Sequence, residues 1–252
     1  MISKSLQKQI HSLELKKFRK ESGLFVAEGG KTVIDILNSD IECCKIIATE
    51  EWLSENQIKQ DIPVLTASEE ELQRISFLRT PQGVLGLFRQ RESNIDNEIP
   101  KRELCIALDD VQDPGNLGTI IRIADWFGIE HVFCSMNTAD IYNPKTVQAT
   151  MGAICRVKVH YIDLPNYLKS LKGEVPIYGT FLNGENIYKK ELKQKGIIVM
   201  GNEGNGIGKR CKECVDEHLF IPNYPTDRET SESLNVSTAT AIICAEFRRR
   251  AI

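Results

Sequence analysis

Apolar positions along the chain fall into short runs set between polar segments of helical period. Leu6, Ile10, Leu13 and Phe18 lie near helical spacing and predict a helix over 3–20. Leu24–Ala27, after a Ser-Gly turn, reads as a strand. A helix over 31–38, a strand over 45–48 and a polar helix or loop over 50–60 follow. Val64-Leu65 reads as a short strand. Ser68 opens a helix over 68–76 with acids in its first turn, where they complement the helix dipole. Val84–Phe88 is the last strand of this small α/β unit. Residues 91–103 contain few apolar side chains and one proline, a composition that suits a linker. Two domains are therefore expected, 1–92 and 103–252.

Beyond the linker the alternation lengthens. Strands are predicted at 104–108, 131–134, 157–160, 176–180, 196–200 and 218–221. Helices are predicted at 116–127, 143–150, 165–172, 207–214 and 234–250, with loops around Asn183-Gly184 and over 222–232. Strands alternating with helices predict a mostly parallel sheet covered on both faces.

Composition adds exclusions. The 252 residues are 41% hydrophobic and 27% charged, values of a globular chain with a core. No apolar run approaches the roughly 18 to 20 residues of a membrane span, and the N-terminus lacks a signal-like apolar stretch, so a cytoplasmic protein is expected. The eight cysteines are expected to be reduced, with Cys105, Cys134 and Cys244 in the core. Cys211-Lys-Glu-Cys214 lacks a second ligand pair and is read as structural, with no metal expected. A net charge of −3 gives no general sign of nucleic-acid binding. Locally, however, Lys4, Lys8, Lys16, Lys17, Arg19 and Lys20 face a single acid, Glu14, within the first twenty residues, as a solvated helix face or a phosphate-contacting patch would.

In parallel α/β sheets ligands bind where loops leave the carboxyl ends of strands. Three such loops have unusual composition. In Asp109–Arg122 a Pro-Gly turn precedes Asn116, which is read as a helix cap, and Arg122 leaves the helix on a different face from it. Met200–Gly208 is rich in glycine and carries one acid, Glu203. It fits neither a phosphate-binding loop, which would need glycine at 203 and a hydroxyl residue at 210, nor a dinucleotide fingerprint. The third, after Phe220-Ile-Pro-Asn223, leads into Ser231–Ala241, where Ser233 or Asn235 would cap the last helix.

Together, Asn116-x-Gly-x-x-x-Arg122, Gly201-x-Glu-Gly204, and Ile221-Pro with Ser233-Leu-Asn-Val-Ser237 resemble the three motifs of the SpoU family, RNA 2′-O-ribose methyltransferases of the SPOUT superfamily. The resemblance covers about 104–250. Gly23-Leu-Phe-Val-Ala-Glu-Gly29 and Thr80-Pro-Gln-Gly-Val-Leu85 make the N-terminal part similar to the L30e-like substrate-binding domain that often precedes it.

The resemblance implies an α/β fold in which an L30e-like domain is followed by a trefoil-knot methyltransferase domain that pairs as a homodimer. S-adenosyl-L-methionine would lie among the loops at Met200, Gly201, Gly204, Ile221 and Leu234, held largely by backbone groups. A ribose 2′-hydroxyl in RNA would accept the methyl group, with ribosomal RNA favoured over transfer RNA. Arginine is an implausible base, so Arg122 would position ribose or phosphate and stabilise developing negative charge. Asn116, Ser233 and Asn235 match further motif positions; the two asparagines would hold substrate or loop backbone. Glu203 would brace the cofactor loop or pair with Arg122. Lys16, Lys17, Arg19 and Lys20 become candidate phosphate contacts. One departure is the stretch between Pro222 and Ser233, which is longer than the family's usual loop and lacks its glycine. Three other readings stay open: a non-catalytic RNA-binding assembly factor on the same fold, a nucleotide-dependent enzyme of ordinary doubly wound fold, and a CxxC metal or redox protein.

Overall fold

The computed structural model describes residues 1–92, 95–225, 228, 231 and 233–249. Much of the extended stretch after Pro222 lies outside the described residues. The chain divides into two compact units, Met1–Glu92 with Asp140–Arg156, and Ser93–Ala139 with Val157–Ile252.

The first unit opens with helices α1 (Lys4–Ser12) and α2 (Lys16–Ser22) where the apolar spacing predicts one. The break has a specific cause. The Arg19 guanidinium turns back and donates through Nη1 to the carbonyls of Leu13 and Glu14, at 2.7 and 2.8 Å. A continuous helix would have used those carbonyls internally. The same guanidinium donates to Asp140 Oδ2 at 2.6 Å, and Arg19 is only 1% exposed. Its expected role as a phosphate contact is therefore corrected: the charge is buried and already paired. Lys16, Lys17 and Lys20 remain exposed.

Strand β1 (Leu24–Glu28), helix α3 (Gly30–Leu37), β2 (Cys43–Ala48), α4 (Glu50–Glu55), β3 (Val64–Thr66), α5 (Glu69–Ile75) and β4 (Val84–Arg89) follow. The strands form one sheet in the order β1-β4-β2-β3. Ser68 caps α5 with Glu71 in a reciprocal capping box. The buried Glu28 carboxylate accepts hydrogen bonds from Ser76 Oγ and, at 2.8 Å, from the Phe77 amide.

The second unit begins with a short helix, α6 (Ile99–Arg102), inside the stretch read as linker. Then come β5 (Leu104–Leu108), α7 (Pro114–Trp126) and β6 (His131–Ser135). The chain next makes an excursion through α8 (Pro144–Thr150), which belongs to the first unit. It returns as β7 (Lys158–Ile162), α9 (Leu164–Leu171), β8 (Ile177–Asn186), β9 (Gly196–Met200), α10 (Lys209–Lys212), β10 (Glu217–Phe220) and α11 (Val236–Arg249). Strand β8 runs through Asn183-Gly184, where a loop is expected. A Cβ at Gly184 would sit 2.7 Å from the His218 carbonyl oxygen, so glycine there serves the close approach of β10.

The sheet order is β10-β8-β9-β5-β6-β7, and every adjacent pair is parallel. Period-two alternation sorts the side chains between two faces. Cys105, Ala107, Phe133, Ile197 and Val199 pack with Leu164, Leu168 and Leu171 of α9 and with Cys211 and Cys214. On the other face α7 and α11 pack together, and Tyr178 meets Phe247 edge-on at 5.0 Å. Cys105, Cys134 and Cys244 are each 0% exposed, as expected of core cysteines.

Candidate functional site

Strands β5 and β9 are central, parallel and in register, with Leu108 opposite Met200. Both therefore end at the same level, and the Asp109 amide donates to the Met200 carbonyl at 2.9 Å. To one side of this point the chain proceeds outward to β6 and β7; to the other lie β9, β8 and β10. This is the topological switch point at which open parallel sheets bind ligands. The loops after Leu108 and Met200 leave side by side here, and Ile221 follows β10 at the same sheet edge.

Each loop is locally fixed. The side chain capping α7 is Asp113, which accepts from the Asn116 amide at 2.7 Å, with Pro114 at the first helical position. This corrects the reading of Asn116 as the cap, and it leaves the Asn116 carboxamide available. In the second loop Asn202 and Gly206 exchange two backbone hydrogen bonds of 2.9 Å. Asn202 Oδ1 accepts from the amides of Gly204 and Asn205, and its Nδ2 donates to the Asp110 carbonyl at 2.7 Å. Asp109 Oδ2 accepts from the Gly208 amide at 2.8 Å. A Cβ on Gly201 would lie 2.2 Å from the Gly206 carbonyl carbon, so the loop closes backbone against backbone at a position only glycine can fill. Asp110 holds a left-handed φ of 58°, unusual away from glycine, and the Ser135 hydroxyl bonds both its amide and its carboxylate.

The two loops and the last helix are joined by a line of side chains. Asn235 Nδ2 donates to Asn116 Oδ1 at 3.0 Å, and Asn116 Nδ2 donates to Glu203 Oε1 at 3.0 Å. The other Glu203 oxygen faces the Gln112 amide at 3.5 Å. Asn235 Oδ1 meanwhile accepts from the amides of Ser237 and Thr238, so it caps α11. The structure thus brings Asn116, Glu203 and Asn235 together beside Met200 and Gly201. Arg122 and Ser233 stay outside this line. Both are exposed and make no hydrogen bond or ion pair with the described residues. Glu203 braces the loop, as one of its two expected roles has it, and bonds Asn116 rather than Arg122. Gly204 is exposed, Ile221 is half-buried and Leu234 is 48% exposed. Asp109, Asp110, Asp113, Asn202 and Ser135 were not foreseen. Consecutive acids after an apolar strand point to Asp109 and Asp110, and an Asp-Pro pair opening a helix points to Asp113; no local signal marks Asn202 or Ser135.

This meeting of loops can be set beside known proteins. The family described as SpoU rRNA Methylase matches residues 103–245. The chain belongs to the SpoU rRNA methylase family. The MRM3-like substrate binding domain matches residues 6–86 of the same methylase. It is 32% identical to the 23S rRNA (guanosine(2553)-2′-O)-methyltransferase of Bacillus subtilis, across 94% of this chain and 93% of that one. Its fold superimposes on a TrmH-family protein of Porphyromonas gingivalis with a TM-score of 0.87 and 36% identity, covering 99% of each chain. An AdoMet-bound rRNA methyltransferase of Sinorhizobium meliloti gives 0.86 at 30% identity, covering 100% of this chain and 98% of that one.

Cys211 and Cys214 of this SpoU methylase are buried, which raises both thiol pKa values and favours the protonated, unreactive form. Among the described residues no group of three or more His, Cys, Asp or Glu is placed to hold a metal ion. No helix among them is long and apolar enough to cross a membrane.

Proposed function

We propose that this protein transfers a methyl group from S-adenosyl-L-methionine to the 2′-hydroxyl of a ribose in ribosomal RNA. The observation that carries the reading is the junction of the β5 and β9 loops, fixed by Asn116, Glu203 and Asn235 at the sheet's switch point. Ribosomal RNA is favoured because the Bacillus subtilis relative, named for a 23S rRNA position, aligns with nearly the whole chain.

The residues fit the cofactor. Gly201 leaves no room for a Cβ, and the turn closed by Asn202 and Gly206 exposes the peptide groups of residues 203–205. Ile221 and Leu234 offer apolar surface without side-chain donors. Met200, Gly201, Gly204, Ile221 and Leu234 would hold the cofactor in the trefoil knot that the family implies. When bound, S-adenosyl-L-methionine supplies an electrophilic methyl group on a positively charged sulfur.

A ribose hydroxyl is a weak nucleophile, so it must be oriented and must lose its proton as the new bond forms. Arg122 has the uncommitted guanidinium for this: it positions the ribose or its phosphate and stabilises charge developing on the 2′-oxygen. The 2′-hydroxyl proton goes to water or an RNA phosphate. Asn116, Glu203 and Asn235 hold the loops in register, and Ser233 contacts substrate or the cofactor loop. Lys16, Lys17 and Lys20, exposed on α2, contact phosphates in the first unit. Two copies pair, and the enzyme works in the cytoplasm, where ribosomes are assembled.

The test is tritiated methyl transfer to unmodified total RNA, followed by size fractionation and by nuclease digestion that leaves 2′-O-methylated linkages uncut. Label in a resistant dinucleotide from ribosomal RNA is the expected result. Arg122→Ala should abolish transfer while calorimetry shows the cofactor still binding. Full activity in that variant, or no transfer and no cofactor binding by the wild type, would sink the reading.

A further inference from the structure

The sheet face covered by α9 and α10 carries exposed cations that take no part in the loop junction. Lys169 and Lys172 lie one helical turn apart at the end of α9, and α10 reads Lys209-Arg-Cys-Lys212. All five basic side chains are exposed. The two helices pack against each other, and the Cys214 thiol, just beyond α10, lies 3.8 Å from the Pro165 carbonyl, so the cations share one surface. Lys172 Nζ donates to the Glu213 carbonyl at 2.7 Å, and Lys212 Nζ sits 5.1 Å from the Phe181 ring centroid. Both contacts hold an ammonium in place without neutralising it.

Asp163, Glu213 and Asp216 lie on the same segments, fewer than the five cations. Asp163 lies 3.9 Å from Arg210 with both side chains exposed, a pair worth little in water. Asp216 accepts from the Ile177 amide. Lys169 and Lys209 have no hydrogen-bond or ion-pair partner among the described residues. The position matters as much as the charge. Helix α10 begins one residue after Gly208, whose amide Asp109 fixes, so the cations start where the Met200–Gly208 loop ends.

We propose that the α9–α10 face binds the phosphate backbone of the RNA flanking the target ribose, leading the strand toward the loop junction. Exposed ammonium and guanidinium groups with little aromatic or amide surface between them suit phosphates rather than base edges. The inference rests on the RNA methyltransferase reading and adds a binding surface in the second unit, distinct from the α2 lysines.

Its test compares wild type, the triple variant Lys169→Gln/Lys209→Gln/Arg210→Gln, and a control, Lys193→Gln/Lys195→Gln. Binding to an unmodified 23S rRNA transcript is measured across a salt series, together with methyl transfer and cofactor affinity. Each lost phosphate contact flattens the slope of log K against log salt by about 0.7 to 0.9. The triple variant should therefore lose about 2 from the slope and bind about tenfold more weakly or worse at moderate salt. Its KM for RNA should rise with little change in kcat, its cofactor affinity should hold, and the control should match wild type. A wild-type slope and KM in the triple variant, with the wild-type protein methylating the transcript, would overturn this proposal alone. Failure of the wild type to methylate any RNA would overturn the parent reading and this one with it.

Discussion

At the residue scale the site is a line of amides whose direction a carboxylate sets. An ionised carboxylate only accepts, so Glu203 draws the Asn116 NH2 toward itself. Asn116 must then turn its oxygen to the Asn235 NH2, which leaves Asn235 Oδ1 free to cap α11. One charge thereby orders three loops. Gly201 is as constrained. Because its missing Cβ would lie 2.2 Å from backbone, Gly201→Ala must push the two arms of the loop apart. Calorimetry should find cofactor affinity reduced at least about tenfold, and thermal melting should show a loss of roughly 1–3 kcal/mol, the range of core overpacking. An alanine variant with wild-type affinity would mean that the loop's closure does not shape the site. The sequence made the site residues legible as a spaced set, but it could not tell donor from acceptor along the line. That depends on which atoms meet across 87 and 119 residues of chain.

At the scale of elements, local signals carried most of the fold. Ser68 with its acids, Pro144 at a first turn and the apolar runs of β5 and β9 all became the elements their physics predicts. Two of the misses come from contacts that hydrophobic spacing does not carry. Arg19 split a helix that apolar spacing made continuous, and the Asn-Gly pair, which ordinarily signals a turn, lies in a bulge of β8 where pairing with β10 jumps from Gly179 to Glu185. At α7 the error lay in choosing between two good caps, Asp113 and Asn116. Asp113→Ala should cost about 1 kcal/mol of stability, the usual worth of a cap. Melting should fall by a few degrees for a chain of this size. Because Asn116 would lose the bond to its amide at the same time, methyl transfer should fall too; unchanged melting would show that Asp113 does not hold the helix start.

At the scale of the whole molecule, two features reach beyond single elements. His131 and His160 lie stacked and buried between β6 and β7, with Nδ1 and Nε2 3.0 Å apart. Burial, and then the neighbouring imidazole, lower the His160 pKa from 6.5 to about 4. The unfolded chain therefore binds a proton that the folded chain refuses, so stability holds above about pH 6.5 and is lost as pH falls toward 4. Melting temperature against pH should show this acid limb, and His160→Phe should flatten it; an identical limb in the variant would place its origin elsewhere. The second feature is Trp126, 84% exposed one turn beyond Arg122 on α7. Pairing of two copies over this face would account for so large an uncovered side chain. Trp126→Arg should then shift sedimentation from dimer to monomer, whereas a monomeric wild type would remove the dimer from the reading.

The excursion of residues 140–156 delays completion of the first unit during synthesis. By the time residue 92 has left the ribosome, the small sheet of the first unit has all four of its strands, yet Arg19 lacks its carboxylate. Asp140 is still to be synthesised, and so are the Ile154 and Cys155 carbonyls that receive Arg91 at 3.1 and 2.6 Å. A guanidinium cannot settle into a core without its counter-charge at small cost. The unit that begins the chain must therefore wait, incomplete, while β5, α7 and β6 of the other are translated. Completion of the first unit is thus interleaved with synthesis of the second.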